Sequence, residues 1–298
     1  QSFESFNLAT SYVTDDYFGM MDEMEGDLVS SDKQDVATGR FAVTTLSEAQ
    51  DVVNKTLKYY AESSFGDWRN TVTFVADDPD EPNEFILQQT VDLIAQEVES
   101  TRPEFNLKKI YSDAYPQEST AGGERYPAVN QAIDNAVESG SLVLDYFGHG
   151  GVNGWANERI LEVPQVQNWS NFNTLPLFIT VTCEFARYDN PLRPTAGEFA
   201  LLNRNGGPVS LISTTREIFI SVGQVFNRTL FEQLFDPENE SYSISEALMY
   251  SKHEFGSPQR LFVYFLGDPA MRLALGKPDI KLTRINGKDI DQQADTLK

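Results

Sequence analysis

The sequence predicts an α/β protein with a doubly wound, mostly parallel sheet that is covered by helices on both faces. Two observations support this fold class: short apolar runs that do not alternate with polar residues, and amphipathic stretches that separate those runs. With 298 residues, of which 40% are hydrophobic, the chain can form one large domain with flanking pieces. We place the main domain at residues 63–275 and assign residues 1–62 and 276–298 to truncated flanking domains.

The elements follow in order along the chain. Short strands are predicted at 12–17 and 36–43, and Thr45 with Glu48 has the spacing of a capping box that begins a helix reaching residue 60. In the main domain, apolar runs predict strands at 71–76, 109–111, 142–147, 177–182, 208–213 and 262–266. Helical periodicity predicts helices at 85–98, 127–139, 222–234 and 244–254, with another from the capping box at Thr195 to about 206. A hairpin around Asn286-Gly287, within 279–291, is predicted to begin a separate β domain.

The charge of the chain limits its partners. Asp and Glu number 45 against 23 Lys and Arg, which gives a formal net charge of -22. Binding to nucleic acid needs clustered cations that displace counterions from phosphates, so we expect no nucleic-acid partner. No run reaches the roughly 18 apolar residues of a membrane span. Residues 1–20 lack the apolar core of a signal peptide, and we expect an excised fragment whose targeting signal lies outside it.

Cysteine and histidine are scarce. The chain has one cysteine, Cys183, and two histidines, His149 and His253. One cysteine cannot form an internal disulfide, and this set of residues cannot build a zinc site of several Cys and His ligands.

Two of these three residues follow neighbouring core strands. The strand at 142–147 runs into Gly-His-Gly-Gly at 148–151, and the strand at 177–182 runs directly into Cys183. Chemistry in open parallel sheets collects at the carboxyl ends of the strands. A thiol must become a thiolate to attack, so it needs a base, and His149 is the candidate. The backbone N–H groups of Gly150 and Cys183 are candidate oxyanion donors. An inert buried cysteine and a structural histidine are the alternative, but their joint placement favours catalysis.

Several motifs resemble the gingipain family of cysteine peptidases, in the caspase-like clan. They are GRFAV at 39–43, YFGHGG at 146–151 with Trp155, FITVTCE at 178–184, PVSLIST at 208–214 and LGDPAMR at 266–272. The resemblance covers nearly all of the chain to about residue 275. It implies a caspase-like fold, with Cys183 and His149 as the catalytic dyad. It also implies that residues 1–62 are the remaining part of an N-terminal α/β subdomain, and that residues 276–298 begin an Ig-like β domain.

Within the family, the sequence is similar to the C-terminal signal peptidase, or sortase, of the bacterial type IX secretion system. That similarity implies removal of the C-terminal signal domain from secreted cargo, followed by transfer of the cargo to an amine of lipopolysaccharide. It implies outer-membrane secretion subunits as partners and a peripheral position on the bacterial cell surface. A secreted gingipain-like endopeptidase without transpeptidation is one alternative, and a non-catalytic cargo-binding module is another.

The resemblance also suggests supporting residues. An acidic residue after the first strand of the catalytic domain often orients the histidine in this family, and Asp77 or Asp78 stands there, with Asp78 preferred. Arg-specific gingipains carry a specificity Asp early in the next helix, but this chain has EFILQ at 84–88, so we do not expect a trypsin-like preference.

Substrate and metal contacts are predicted with alternatives. Residues at the predicted strand ends are candidates to line the substrate pocket: Asn153, Trp155, Glu184, Ser213 and Thr214. Trp155 fits a packing role equally well. No cofactor is required for the reaction, but Asp77, Asp80 and Glu81 form a candidate calcium site because Ca²⁺ prefers oxygen ligands. A solvated acidic loop is the alternative.

Overall fold

A six-stranded sheet forms the centre of the molecule in the computed structural model, which describes residues 11–29, 31–276, 282–285 and 288–290. Its strands are β1 (Thr71–Ala76), β2 (Asn106–Tyr111), β3 (Val143–Phe147), β4 (Leu177–Val181), β5 (Ser210–Thr214) and β6 (Val263–Leu266). Their order across the sheet is β6-β5-β4-β3-β1-β2. All neighbouring strands are parallel except β5 and β6. The order reverses between β1 and β3, and this is the kind of place where parallel sheets bind ligands.

Helices cover both faces of this sheet. They are α1 (Leu46–Tyr60), α2 (Ile86–Thr101), α3 (Pro127–Ser139), α4 (Val163–Asn168), α5 (Ala196–Leu202), α6 (Ile220–Phe235) and α7 (Ile244–His253). One buried apolar cluster joins the sheet to α2, α6 and α7, and a second joins it to α3, α4 and α5. The predicted α/β fold, a mostly parallel sheet with helices on both faces, is therefore confirmed.

Short elements complete the description. The 3-10 helices are Asp16–Gly19, Glu62–Ser64, Asp67–Asn70, Ser112–Ala114, Pro237–Asn239 and Pro258–Phe262. Small antiparallel pairings join Glu118–Thr120 to Gly123–Arg125, and Gly154–Trp155 to both Gly150–Gly151 and Leu161–Glu162. Arg284–Ile285 and Lys288–Asp289 also pair, as expected for a hairpin, although its Asn286-Gly287 turn lies outside the described residues. Among the described residues, no helix has both the length and the apolar character to cross a bilayer.

The segment before α1 differs from its prediction. Residues 12–17 and 36–43 form no strand, and Arg40 makes only an isolated parallel bridge to Leu266. Polar contacts hold this segment instead: Asp15 pairs with Arg40, and the buried Asp16 pairs with the buried Lys252 of α7. The sequence shows apolar alternation over only a few positions here. It does not indicate that Asp15 and Asp16 pair with cations of the folded protein instead of facing solvent. The division into domains at residues 62 and 275 stays a prediction.

Candidate active site

The two strands that were predicted to carry the dyad are direct neighbours. β3 and β4 are parallel, and Phe147 and Val181 form the last pair of their register. His149 and Cys183 each lie two residues beyond that pair, so the two loops leave the same edge of the sheet side by side. Both side chains reach solvent, since the His149 side chain is 36% exposed and Cys183 is only partly buried.

The imidazole of His149 is fixed by a carboxylate. Its Nε2 atom lies 3.1 Å from Oε1 of Glu84. The other oxygen of Glu84 accepts the backbone N–H groups of Asp80 and Glu81, at 3.0 and 2.9 Å, so the carboxylate itself cannot rotate freely. A carboxylate accepts hydrogen bonds, so this contact favours the tautomer with the proton on Nε2. The lone pair of His149 then lies on Nδ1, which is the atom available to take a proton from a thiol.

The backbone of the histidine loop is held separately. Oδ2 of Asp77 accepts the backbone N–H of His149 at 2.9 Å, and the hydroxyl of Tyr146 donates to the carbonyl of His149 at 2.6 Å. Burial raises the pKa of the Asp77 carboxyl well above its ordinary value, although the N–H bond from His149 opposes the shift. Gly148 is required here, because a Cβ on it would lie 2.4 Å from Cβ of Asp77.

The structure does not place Asp78 at the imidazole. Its Oδ2 accepts the hydroxyl of Tyr126 at 2.9 Å, and burial raises the pKa of this carboxyl. Glu84 takes the position that was predicted for Asp78. Asp77 and Asp78, directly after β1, thus support neighbouring groups, whereas the carboxylate at the ring comes from Glu84, six residues after Asp78, in the turn before α2.

Cys183 makes its polar contact with another loop. The backbone N–H of Ile218, in the segment that follows β5, interacts with the thiol of Cys183 and favours its charged form. Burial raises the pKa of the thiol, and the nearby carboxylates of Glu217 and Glu184 add to the rise while the N–H of Ile218 opposes it. Among the hydrogen bonds of the described residues, none joins Sγ to His149. Such bonds are often long in unliganded enzymes and tighten when substrate binds.

The hairpin after His149 leaves the backbone N–H of Gly150, one of the two predicted oxyanion donors, outside its ladder of hydrogen bonds. Gly150 pairs with Trp155 across the small hairpin, while the N–H of Ala156 donates to the carbonyl of His149 at 2.8 Å. Bonded and non-bonded pairs alternate in an antiparallel ladder, so the Gly150 N–H points away from its hairpin partner. A Cβ on Gly150 would lie 2.5 Å from Oγ1 of Thr182, the residue before Cys183. The glycine therefore lets this loop approach the end of β4.

The five residues that were predicted to contact substrate differ in their exposure to solvent. Asn153 is exposed in the turn of the small hairpin, and Glu184 is partly exposed beside Cys183. Trp155 is completely buried and stacks on Tyr146 with a centroid distance of 4.2 Å, so its assignment to the substrate pocket is wrong and it has the packing role.

The other two predicted contacts lie inside β5. Ser213 and Thr214 are each 1% exposed, so neither side chain lines a pocket as predicted. The hydroxyl of Thr214 instead donates to the carbonyl of Thr182. Thr214 thus ties β5 to the end of the strand that carries the thiol.

The predicted calcium ligands do not converge. Asp80 lies with Glu84 and His149, and Asp77 lies with Asp78 and Glu158, each set having ligand atoms within 4.8 Å of one another. Glu81 belongs to neither set. One site from Asp77, Asp80 and Glu81 is therefore not supported.

Comparison with known proteins identifies the family. Residues 2–274 match peptidase family C25. The chain belongs to this family, the gingipains. Its fold is similar to that of the Arg-specific cysteine proteinase gingipain R, with a TM-score of 0.70, 17% identity, and coverage of 88% of this chain and 60% of that one. It is also similar to the complex of the pro- and mature domains of RgpB from Porphyromonas gingivalis, with a TM-score of 0.69, 17% identity, and coverage of 87% and 60%.

This C25 chain thus spans about three fifths of the length of these two solved structures. None of the curated proteins compared with it matches. The likeness to the solved structures, at 17% identity, concerns the fold alone.

Sequence reasoning missed two groups in this C25 site. Glu84 follows the first strand by several positions, and a lone glutamate in an acidic loop carries no signal of its own. The N–H of Ile218 has no signal at all, because every residue except proline has a backbone N–H. Only the register of the strands, which places the segment after β5 beside Cys183, could have indicated that a donor would come from there.

Proposed function

We propose that this chain is a cysteine peptidase that cleaves peptide bonds through a thioester on Cys183. The observation that carries the proposal is the placement of His149 and Cys183 on adjacent parallel strand ends, with the imidazole held by Glu84 at 3.1 Å. Membership of family C25 supports the same reaction class.

The reaction follows from the atoms described. Nδ1 of His149 takes the thiol proton, and the thiolate attacks the carbonyl carbon of the scissile bond, forming a carbon–sulfur bond. Negative charge develops on the carbonyl oxygen, where the N–H groups of Gly150 and Cys183 stabilise it. The intermediate then expels the amine, which receives the proton from His149. Throughout, Glu84 keeps the ring oriented and stabilises its positive charge.

We further propose, from the sequence motifs, that the peptidase removes the C-terminal signal domain of type IX secretion cargo. An amine of lipopolysaccharide would then attack the thioester, so that sulfur leaves and the cargo carries a new amide at its carboxyl end. This role requires outer-membrane secretion subunits as partners and a position on the cell surface. A gingipain-like endopeptidase would use water in the second step instead.

Labelling of the thiol tests the first proposal. A peptide-based electrophile should label Cys183 rapidly, and labelling is unambiguous because the chain has one cysteine. His149→Ala should abolish rapid labelling. His253→Ala is the matched control, because His253 lies at the last position of α7, where it interacts with Gln34, Lys33 and Arg260. Slow and equal labelling of all three proteins would contradict catalysis and favour a cargo-binding module.

Product analysis tests the second proposal. Cargo that carries its C-terminal signal domain is incubated with the full-length protein and an amine acceptor, and the new carboxyl end is examined by mass spectrometry. An amide with the acceptor supports transpeptidation. A free carboxylate under all acceptor concentrations contradicts it and leaves a hydrolytic peptidase.

A further inference from the structure

An ion pair joins the two loops that flank the thiol. Asp189 lies in the loop after Cys183, and Arg216 lies in the segment after β5. Nη2 of Arg216 is 2.6 Å from Oδ2 of Asp189, and Nη1 is 3.4 Å from Oδ1, so the contact is bidentate. The side chains are 5% and 18% exposed. Bidentate, partly desolvated pairs of this kind fix geometry better than surface ion pairs do.

Arg216 is also held by the backbone around it. Its Nε donates to the carbonyl of Ser11 at 2.7 Å, and Nη1 donates to the carbonyl of Thr215 at 2.6 Å. Thr215 in turn donates its hydroxyl to the carbonyl of Val13 at 3.2 Å. The guanidinium therefore has a single well-defined position relative to the start of this segment.

Arg187 links Asp189 to Glu184, the residue next to Cys183. Nε of Arg187 is 3.7 Å from Oδ1 of Asp189, and Nη1 of Arg187 is 2.7 Å from Oε1 of Glu184. Glu184 directly follows Cys183 and has a φ of 52°. This left-handed conformation is unfavourable for a residue with a side chain, so it persists only where surrounding contacts hold it.

Arg216 also lies close in sequence to Ile218, a residue that acts on the thiol. Ile218 stands two residues after Arg216, and its backbone N–H favours the charged form of the Cys183 thiol. We propose that Asp189 and Arg216 are positioning residues, which hold the Ile218 N–H against Sγ and hold the turn that presents the Cys183 amide. The role in catalysis rests on the proposed peptidase function, but the positioning of Sγ does not.

A positioning role can be separated from an effect of charge. Among the described residues, the charged groups that act on the Cys183 thiol are Glu184 in its own loop and Glu217 in the segment after β5, and the loop of His149 leaves the neighbouring strand end. If Asp189 acted only through its field, removing its negative charge would stabilise the thiolate. If it acts by positioning, removing it frees the Ile218 N–H and destabilises the thiolate. The two mechanisms therefore shift the reactivity of the thiol in opposite directions.

The experiment is the pH dependence of the alkylation rate of Cys183 by iodoacetamide in the folded protein without substrate. Asp189→Asn should move the midpoint upward by about one pH unit, the size expected for loss of a charge-assisted hydrogen bond. Arg216→Ala should move it in the same direction, and the double variant should shift it no further than the larger single change. Arg216→Lys should restore part of the shift. Arg228→Ala is the matched control, because Arg228 pairs with Glu97 of α2 at 2.7 Å and is not among the groups that shift the pKa of Cys183.

A lowered or unchanged midpoint in Asp189→Asn would overturn the proposal. Thermal unfolding of each variant shows whether it is folded, and Asp189→Asn changes neither size nor shape of the side chain. If the wild-type protein cleaves no peptide, the proposed function fails, while the alkylation profiles still decide the role of the pair. If it does cleave, kcat should fall in Asp189→Asn by more than KM changes.

Discussion

Glu84 and His149 are 65 positions apart in the chain, and their side chains meet at 3.1 Å. The contact joins the turn before α2 to the loop after β3. Because the second oxygen of Glu84 is bound by two backbone N–H groups, the imidazole is oriented by a carboxylate that is itself fixed. The rigidity of the proposed base therefore depends on a loop that is remote from it in sequence.

Glu84→Gln should lower kcat by about 10²-fold. An amide has one acceptor oxygen, so it cannot accept both the ring N–H and the N–H groups of Asp80 and Glu81. The measurement is steady-state kinetics with a peptide substrate. Asp78→Asn provides the comparison, because Asp78 contacts Tyr126. A larger loss in Asp78→Asn than in Glu84→Gln would contradict the geometry described.

Gly150→Ala should lower kcat to a similar extent. The new Cβ would lie 2.5 Å from Oγ1 of Thr182, so the loop must shift and carry the Gly150 N–H away from the oxyanion. Thr182→Ala in the same chain should restore part of the activity, since Oγ1 of Thr182 has no hydrogen-bond partner among the described residues. Gly151→Ala is the control, because a Cβ there meets nothing within 4 Å. Equal losses in Gly150→Ala and Gly151→Ala would contradict this explanation.

Asp145 should make stability fall as the pH rises. It is completely buried in β3, where burial raises its pKa to about 8, and Nδ2 of Asn227 donates to its Oδ2 at 3.0 Å. In the unfolded chain its pKa is about 3.9. The stabilisation associated with the protonated form is fully present below that value and is lost as pH rises toward the folded pKa. Up to about 5 kcal/mol is involved, from the difference of about four units.

Asp145→Asn removes this titration. The free energy of unfolding, measured with denaturant at pH 5 and pH 8, should decrease in the wild-type protein by more than in the variant. Other buried carboxyls, such as Asp77, titrate in both proteins, so the difference between them isolates Asp145. Identical pH dependence of the two proteins would show that Asp145 is not protonated in the folded state.

The buried pair of Asp16 and Lys252 should be sensitive to removal of one partner. Their side chains are 3% and 1% exposed, and Lys252 also donates to the carbonyl of Val263 at 2.8 Å. Lys252→Met leaves a buried carboxyl without its cation, which should cost about 3–5 kcal/mol of unfolding free energy. The double variant Asp16→Leu/Lys252→Met should recover much of that loss. Additive losses in the double-mutant cycle would show that the two residues do not interact.

The order of strands and helices in the main domain follows from apolar periodicity. The strand at 71–76 and the helix at 127–139 have the predicted bounds, because the acidic run from Asp77 ends the strand, and Pro127 and Gly140 mark the ends of the helix. The capping boxes at Thr45 and Thr195 also form. Capping residues and chain-breaking residues act within a few positions of the element that they begin or end, so the sequence shows them directly.

The site could be predicted only in part, because most of its contacts join segments that are distant in the sequence. His149 and Cys183 follow buried strands, so a rule about strand ends locates them. The contact of Glu84 with the ring, the burial of Trp155 and Thr214, and the docking of Asp16 on Lys252 depend on tertiary packing between distant segments. No spacing within the sequence reports such contacts.

Trp155, which stacks on Tyr146, can report movement of the histidine loop through its fluorescence. The indole lies on the hairpin that begins directly after His149, and the Tyr146 hydroxyl bonds the carbonyl of that histidine. Any movement of the loop alters the surroundings of a fully enclosed chromophore. In a variant whose other two tryptophans, Trp68 and Trp169, are replaced by phenylalanine, tryptophan emission therefore records movement of the histidine loop without a label.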